Sequence, residues 1–171
     1  RIALLENAID FEFIETDQAA SSTQSPTKRV PFLAHGEVFL TDSGSILKYI
    51  RKLAGQEFMA EPSEFDQFCM VNTALDATAN LFFLQRDGVD IEAYEYTRRQ
   101  AARIVSSLQE MDKLPLPTQP PYNDAQLRLA CYLSWALFRK RISIDNCINL
   151  QAFLTGIQTY KPFADTAIPQ S

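Results

Sequence analysis

Asp42 and Ser43 stand where the chemistry of this 171-residue chain should begin. They follow a short apolar run, Val38-Phe39-Leu40, and precede Ile46, Leu47, Ile50, Leu53 and Ala54, which recur as one face of a helix closed by Gly55. A helix start carries unpaired N–H groups and a partial positive charge. A serine there can help to hold a carboxylate while the neighbouring aspartate meets an amine, so the position suits a zwitterion. The same pair also reads as a plain N-cap. Val30-Pro31, upstream, is either an edge-strand position with no ladder donor to lose or an X-Pro bond held for a purpose, since such bonds tolerate the cis form.

Other reactive side chains offer less. His35 is the only histidine, so a Ser-His-Asp or Cys-His mechanism would have to use it, yet it falls in His35-Gly36-Glu37, read as a solvated hairpin turn. Cys69, Cys131 and Cys147 are widely spaced and form no Cys-x-x-Cys, which suggests a reducing compartment and leaves neither a dithiol motif nor a zinc site. Cys147 lies near a helix start that would favour a thiolate, but a lone cysteine on an apolar face is packing. Arg139-Lys140-Arg141 closes a helix, where positive charge offsets the dipole without an anionic partner. The sequence contains no Gly-rich phosphate loop, metal-ligand cluster or internal repeat.

The elements that must position Asp42 and Ser43 can be read in order. Residues 1–9 have helical composition with Ile2, Leu5 and Ile9 on one side, and residues 10–15 alternate as a strand should. Residues 18–28 are small and polar and read as a mobile loop. Residues 30–34 and 38–40 form two strands, with Gly36 supplying the positive φ of a tight turn. Residues 56–62 read as a linker, and Ser63 as the N-cap of a helix running to Gly88 with Phe65, Phe68, Cys69, Asn72, Leu75, Ala79, Phe82 and Phe83 at helical spacing. A second long helix spans 93–114 with Tyr96, Ile104, Leu108 and Met111, and Pro115, Pro117, Pro120 and Pro121 end it. Asn123 and Gln126 fit a capping box for a helix over 127–138 that is apolar almost all round and should be buried.

With 46% hydrophobic residues and a net charge of −5, the composition is that of a soluble globular protein with a sizeable core. The acidic balance and the lack of a Lys/Arg cluster argue against nucleic acid or an anionic membrane as partner. Tyr132–Phe138 is too short to span a bilayer, and no signal-peptide pattern opens the chain.

Val30-Pro31-Phe32-Leu33, Gly36, Asp42-Ser43-Gly44-Ser45-Ile46 and Tyr49-Ile50 resemble, in order and spacing, the signature of the glutathione transferase family. Arg1, Leu5, Glu6, Ile9, Phe11 and Glu12 approximate the family's first helix and the strand after it. Ser25-Pro26 to Val30-Pro31 keeps its Asn-Pro-x-x-x-Val-Pro run with Ser for Asn. Asn123 and Gln126 stand for its Ser/Thr-x-x-Asp box, and Leu137–Arg141 with Lys161–Pro169 resemble a bacterial subgroup.

The resemblance implies an α/β thioredoxin-like N-terminal domain (residues 1–55), a linker (56–62) and an all-α C-terminal helical domain (63–171). It implies a cis Pro31, main-chain pairing of Val30 with the cysteinyl part of glutathione, and Asp42 with Ser43 gripping its γ-glutamyl end. Arg29, Val30, Pro31, Asp42 and Ser43 are thus the expected glutathione-binding residues, Asp42 being shorter than the family's usual Glu. Phe82, Phe83 and Arg86 are the expected contacts of a small hydrophobic electrophile, for which the helical domain would supply an apolar wall. The residue that activates the sulfur (Ser, Cys or Tyr), with the family's first strand, is expected upstream of Arg1. A cytoplasmic, homodimeric detoxification enzyme with glutathione as co-substrate and no metal is one reading. A non-catalytic binding module of the same fold is the other.

Overall fold

The computed structural model describes residues 1–168, in two compact units, Arg1–Phe58 and from Met59 onward. The tail motif 161–169 ends at Pro169, outside the described residues.

The first unit contains α1 (Ile2–Glu6), α2 (Gln18–Gln24), β1 (Leu33–His35), β2 (Val38–Leu40) and α3 (Ser43–Leu53). β1 and β2 pair antiparallel with Leu33 opposite Leu40, Ala34 opposite Phe39 and His35 opposite Val38. That register leaves Gly36 and Glu37 as a two-residue turn, and Gly36 takes φ +57° at its first position. Ala3, Leu4 and Ile50 form the buried cluster, with Ile9, Leu33, Ile46 and Leu47 packed around it. Arg51 fastens α3 to α1: its guanidinium donates to the Glu6 carboxylate at 2.8 Å and to Gln56 Oε1 at 2.9 Å, and the ion pair is nearly buried.

Several sequence expectations for this unit are corrected. Residues 10–15 form no strand, because β1 and β2 pair only with each other and alternation without a partner strand makes no ladder. Phe13 and Ile14 are accordingly exposed. Leu5 faces solvent and Leu4 takes the buried place, because α1 ends at Glu6 and the chain re-enters the core through a turn at Ala8, φ +49°, with Ile9 N–H donating to Leu4 C=O at 3.0 Å. Residues 18–24 are a helix rather than a loop, nucleated by Asp17, whose Oδ1 accepts from Ala20 N–H at 2.7 Å. His35 is the last residue of β1 rather than a turn residue, and it is exposed to solvent as expected. Its Nδ1 lies 2.8 Å from Tyr49 Oη of α3, with the rings edge to face.

The second unit is all helical: α4 (Pro62–Arg86), α5 (Glu95–Asp112), α6 (Asp124–Phe138), α7 (Ile148–Ile157) and α8 (Lys161–Ala164). α6 is its centre, with Leu127, Leu129, Ala130, Tyr132, Leu133 and Ala136 all buried. Its start is the expected capping box: Asn123 Oδ1 accepts from Gln126 N–H at 2.9 Å, and Gln126 Oε1 accepts from Asn123 N–H at 3.0 Å. Thr78 of α4 meets Tyr132 of α6 hydroxyl to hydroxyl at 2.9 Å inside the core. Asp112, at the end of α5, caps α7 from a distance by accepting Leu150 N–H at 2.9 Å.

Here too the structure departs from expectation. Glu61, not Ser63, holds the N-cap position of α4; Pro62 follows as the first helical residue, and no side chain caps the end. The buried line of α4 runs through Phe68, Val71, Ala74, Thr78 and Leu81, while Phe65 and Phe83 are about half exposed and Cys69 is exposed. Apart from Phe68, the buried stripe is one step out of phase with the expected one, because packing neighbours rather than side-chain size decide which face is covered. Tyr96 of α5 is likewise exposed, whereas Ile104, Leu108 and Met111 are buried as expected.

Candidate functional site

The N-terminus of α3 is built by Asp42. Its Oδ1 accepts from Gly44 N–H at 2.8 Å and Ser45 N–H at 3.3 Å, and Ser45 Oγ donates to the Asp42 carbonyl at 2.8 Å. The cap is therefore Asp42, and Ser43 is the first helical residue. Neither the hydroxyl nor the N–H of Ser43 has a hydrogen-bond partner among the described residues. A free hydroxyl and a free N–H at the positive end of an 11-residue helix can both donate to an anionic oxygen.

The hairpin brings the second motif to the same end. Leu33 faces Leu40, so Val30-Pro31 on one side and Asp42-Ser43 on the other lie two to three residues beyond the open end of the ladder. The Val30-Pro31 bond is cis, as expected. Val30 is exposed, so its backbone can be reached from solvent. Ser25 is buried and its hydroxyl meets that of Thr27 at 2.9 Å, which orders the approach to Arg29. Arg29, Val30, Pro31, Asp42 and Ser43 thus belong to one end of one hairpin.

Phe82, Phe83 and Arg86 lie in the second unit and are only partly brought together. The rings of Phe82 and Phe83 are 5.2 Å apart, and the Arg86 guanidinium sits 4.9 Å above Phe83 while donating to Asp87 at 3.1 Å. Phe82 also meets Trp135 edge-on at 6.3 Å and lines a cleft of about 320 Å³ within this unit; Phe83 and Arg86 do not line it. Lys140 and Arg141 do, which sequence reasoning missed. No local signal announces this, because Arg141 meets Gln85 across 56 residues of chain.

Cys147 is buried at the N-cap position of α7. Burial, and then the nearby Asp112 carboxylate, push its thiol up from the ordinary range, so the helix start yields no thiolate there. Tyr132 is raised by burial, against a smaller opposing effect of the Thr78 hydrogen bond. Among the described residues no cluster of His, Cys, Asp and Glu could hold a metal ion, and no helix is long and apolar enough to cross a membrane.

Residues 1–58 match the family model described as the glutathione S-transferase N-terminal domain. Among solved structures the chain is similar to a glutathione S-transferase from Actinobacillus pleuropneumoniae, with a TM-score of 0.75 and 15% identity over 96% of this chain and 83% of that one. No curated protein matches the chain. The structural likeness establishes the fold: a thioredoxin-like α/β domain followed by an all-helical one. The first unit thus matches the glutathione S-transferase N-terminal domain, and the chain as a whole shares the fold of the similar glutathione S-transferase structure.

Proposed function

We propose that the protein binds glutathione at the open end of the β1–β2 hairpin and transfers its thiolate to a small hydrophobic electrophile. The observation that carries the reading is Ser43, whose hydroxyl and N–H are both unspent at the start of α3 beside the cis Val30-Pro31 step. Ser43 donates both to the γ-glutamyl carboxylate, where the helix dipole adds to the attraction. Asp42 spends Oδ1 on its cap and offers Oδ2 to the γ-glutamyl ammonium. The backbone N–H and C=O of Val30 pair with the cysteinyl residue in the manner of an added strand, Pro31 in its cis form turns the chain past that residue, and Arg29 adds positive charge alongside.

In the reaction the bound thiol loses its proton to solvent. The thiolate attacks an electrophilic carbon, a carbon–sulfur bond forms, and the leaving group departs with the electron pair of the broken bond. The proposed thioredoxin-like domain (1–55) holds the tripeptide, and the proposed helical domain (63–171), after the linker 56–62, supplies apolar contacts for which Phe82, Phe83 and Arg86 are our candidates. Holding both reactants converts a bimolecular encounter into a local one. We further infer a cytoplasmic homodimer with glutathione as its co-substrate. The test is thioether formation from glutathione and 1-chloro-2,4-dinitrobenzene with the full-length polypeptide. Acceleration over the uncatalysed rate supports a transferase. Tight glutathione binding without acceleration, in this and a panel of other electrophiles, would instead indicate a binding module.

A further inference from the structure

The segment between α2 and β1 carries Arg29, Val30 and Pro31, and its two ends are held by different means. At the far end Leu33 of β1 packs against the buried cluster of the first unit. At the near end α2 gives no apolar support: Ser21 is its one buried residue, and the cluster takes no side chain from it. The exposed hydroxyls of α2 turn back on the helix itself, Ser22 Oγ donating to Ala19 C=O at 2.7 Å and Thr23 Oγ1 to Ala20 C=O at 2.9 Å. A helix of 7 residues does not stand on its backbone bonds alone. Between the two ends, the backbone N–H and C=O of Val30 form no hydrogen bond among the described residues. Packing therefore leaves the path of Val30 open on the α2 side.

Ser25 closes that gap with hydrogen bonds instead. It is 3% exposed and stands at the C-cap of α2, where its N–H donates to Ser21 C=O at 3.0 Å. Its C=O accepts Lys28 N–H at 2.9 Å, and its hydroxyl lies 2.9 Å from that of Thr27. These two bonds close a turn over Pro26 and Thr27, from which the chain leaves through Lys28, φ +54°, to Arg29 and Val30. Among the described residues the hydroxyl pair is the one side-chain hydrogen bond of residues 25–28. We propose that Ser25 and Thr27 are positioning residues for the glutathione site: their hydroxyl pair fixes the turn, and the turn holds the Val30 backbone in the path where it meets the cysteinyl residue. The inference rests on the reading of Val30 given under the proposed function, and it adds two residues that do not touch the ligand.

The test is calorimetric titration of glutathione into the full-length protein and its variants. Thr27→Val keeps the shape of an exposed side chain and removes its hydroxyl, and Ser25→Ala removes the buried partner. Without one neutral hydrogen bond the binding-competent conformer falls about three- to tenfold in population, so the dissociation constant should rise by about that factor in either variant. Melting temperatures should stay nearly unchanged, because neither residue belongs to the buried cluster. Thr27→Ser restores a hydroxyl and should bind as wild type does. The double variant Ser25→Ala with Thr27→Val should be no weaker than either single one, since both remove the same bond, whereas Ser43→Ala added to Thr27→Val should multiply the two losses. Unchanged affinity in Thr27→Val beside a loss in Ser43→Ala, a Thr27→Ser variant as weak as Thr27→Val, or a double variant weaker by the product of the two singles would overturn the positioning role alone. No binding by wild type would overturn the glutathione reading and this inference with it.

Discussion

Replacing Gly156 with alanine should destabilise the second unit although it adds a better helix former. Gly156 lies in the last turn of α7, and a Cβ built there would sit 2.2 Å from the carbonyl oxygen of Thr118, 2.8 Å from its carbon and 2.9 Å from its Cα. The carbonyl would have to retreat by about 0.8 Å even to reach 3.0 Å, the distance below which real Cβ contacts essentially never fall. The neighbour is backbone, in a segment stiffened by Pro117, Pro120 and Pro121, so it cannot swing aside as a side chain would. Nor can α7 yield easily, because Leu150, Phe153 and Ile157 are fully buried and Leu150 N–H is held by Asp112. Overpacking costs about 1–3 kcal/mol and a backbone clash belongs at the upper end, while alanine returns up to about 1 kcal/mol in helix propensity. The net loss should be about 2 kcal/mol, or a fall in Tm of about 4–8 °C for a chain of this size. Thermal melts and urea titrations of wild type and Gly156→Ala measure it, with exposed Thr155→Ala as the control that should change little. A variant as stable as wild type would refute the claim that close backbone approach fixes this glycine.

Two other outcomes follow from the same reasoning. Arg51→Met takes the guanidinium away from the nearly buried Glu6 carboxylate, so Arg51→Met should cost about 3 kcal/mol, and Arg51→Met with Glu6→Leu should recover much of it; a denaturation series on wild type and the two variants checks both. The thiol of Cys147 and the hydroxyl of Tyr132 titrate higher in the folded than in the unfolded chain, so their contribution to stability is complete below pH about 9 and is lost as pH rises through the folded values. Stability should therefore fall from about pH 9 upward, and at pH 8 a thiol reagent should modify Cys69 and Cys131 quickly and Cys147 only after unfolding; rapid reaction of all three would contradict the burial of Cys147.

What the sequence disclosed depended on how local its cause was. The Asn123/Gln126 box and the Gly36 hairpin are decided within a few residues, and both stand as expected. The Asp17 cap was equally local, but the Ser and Thr residues after it disguised a helix as a loop. Residues 10–15 show the opposite limit, since alternation describes a strand but cannot supply its neighbour. In α4 the choice of Val71 and Leu81 over Phe65 and Phe83 is made by α5 and α6. At the hairpin end the family spacing located Asp42 and Ser43, yet only coordinates separate their duties, the cap falling to Asp42. The cleft with Lys140 and Arg141 was illegible because Gln85 and Arg141, which meet there, are 56 residues apart in the chain.

Calorimetric titration of glutathione into the full-length protein and its Ser43→Ala variant tests the central claim most directly. Asp42 already caps α3, so loss of the Ser43 hydroxyl should leave the melting temperature nearly unchanged. A hydrogen bond to the γ-glutamyl carboxylate contributes about 1.5–3 kcal/mol, so the dissociation constant should rise by about ten- to a hundredfold. Equal affinity for glutathione in the two folded proteins, or no binding by either, would contradict the account.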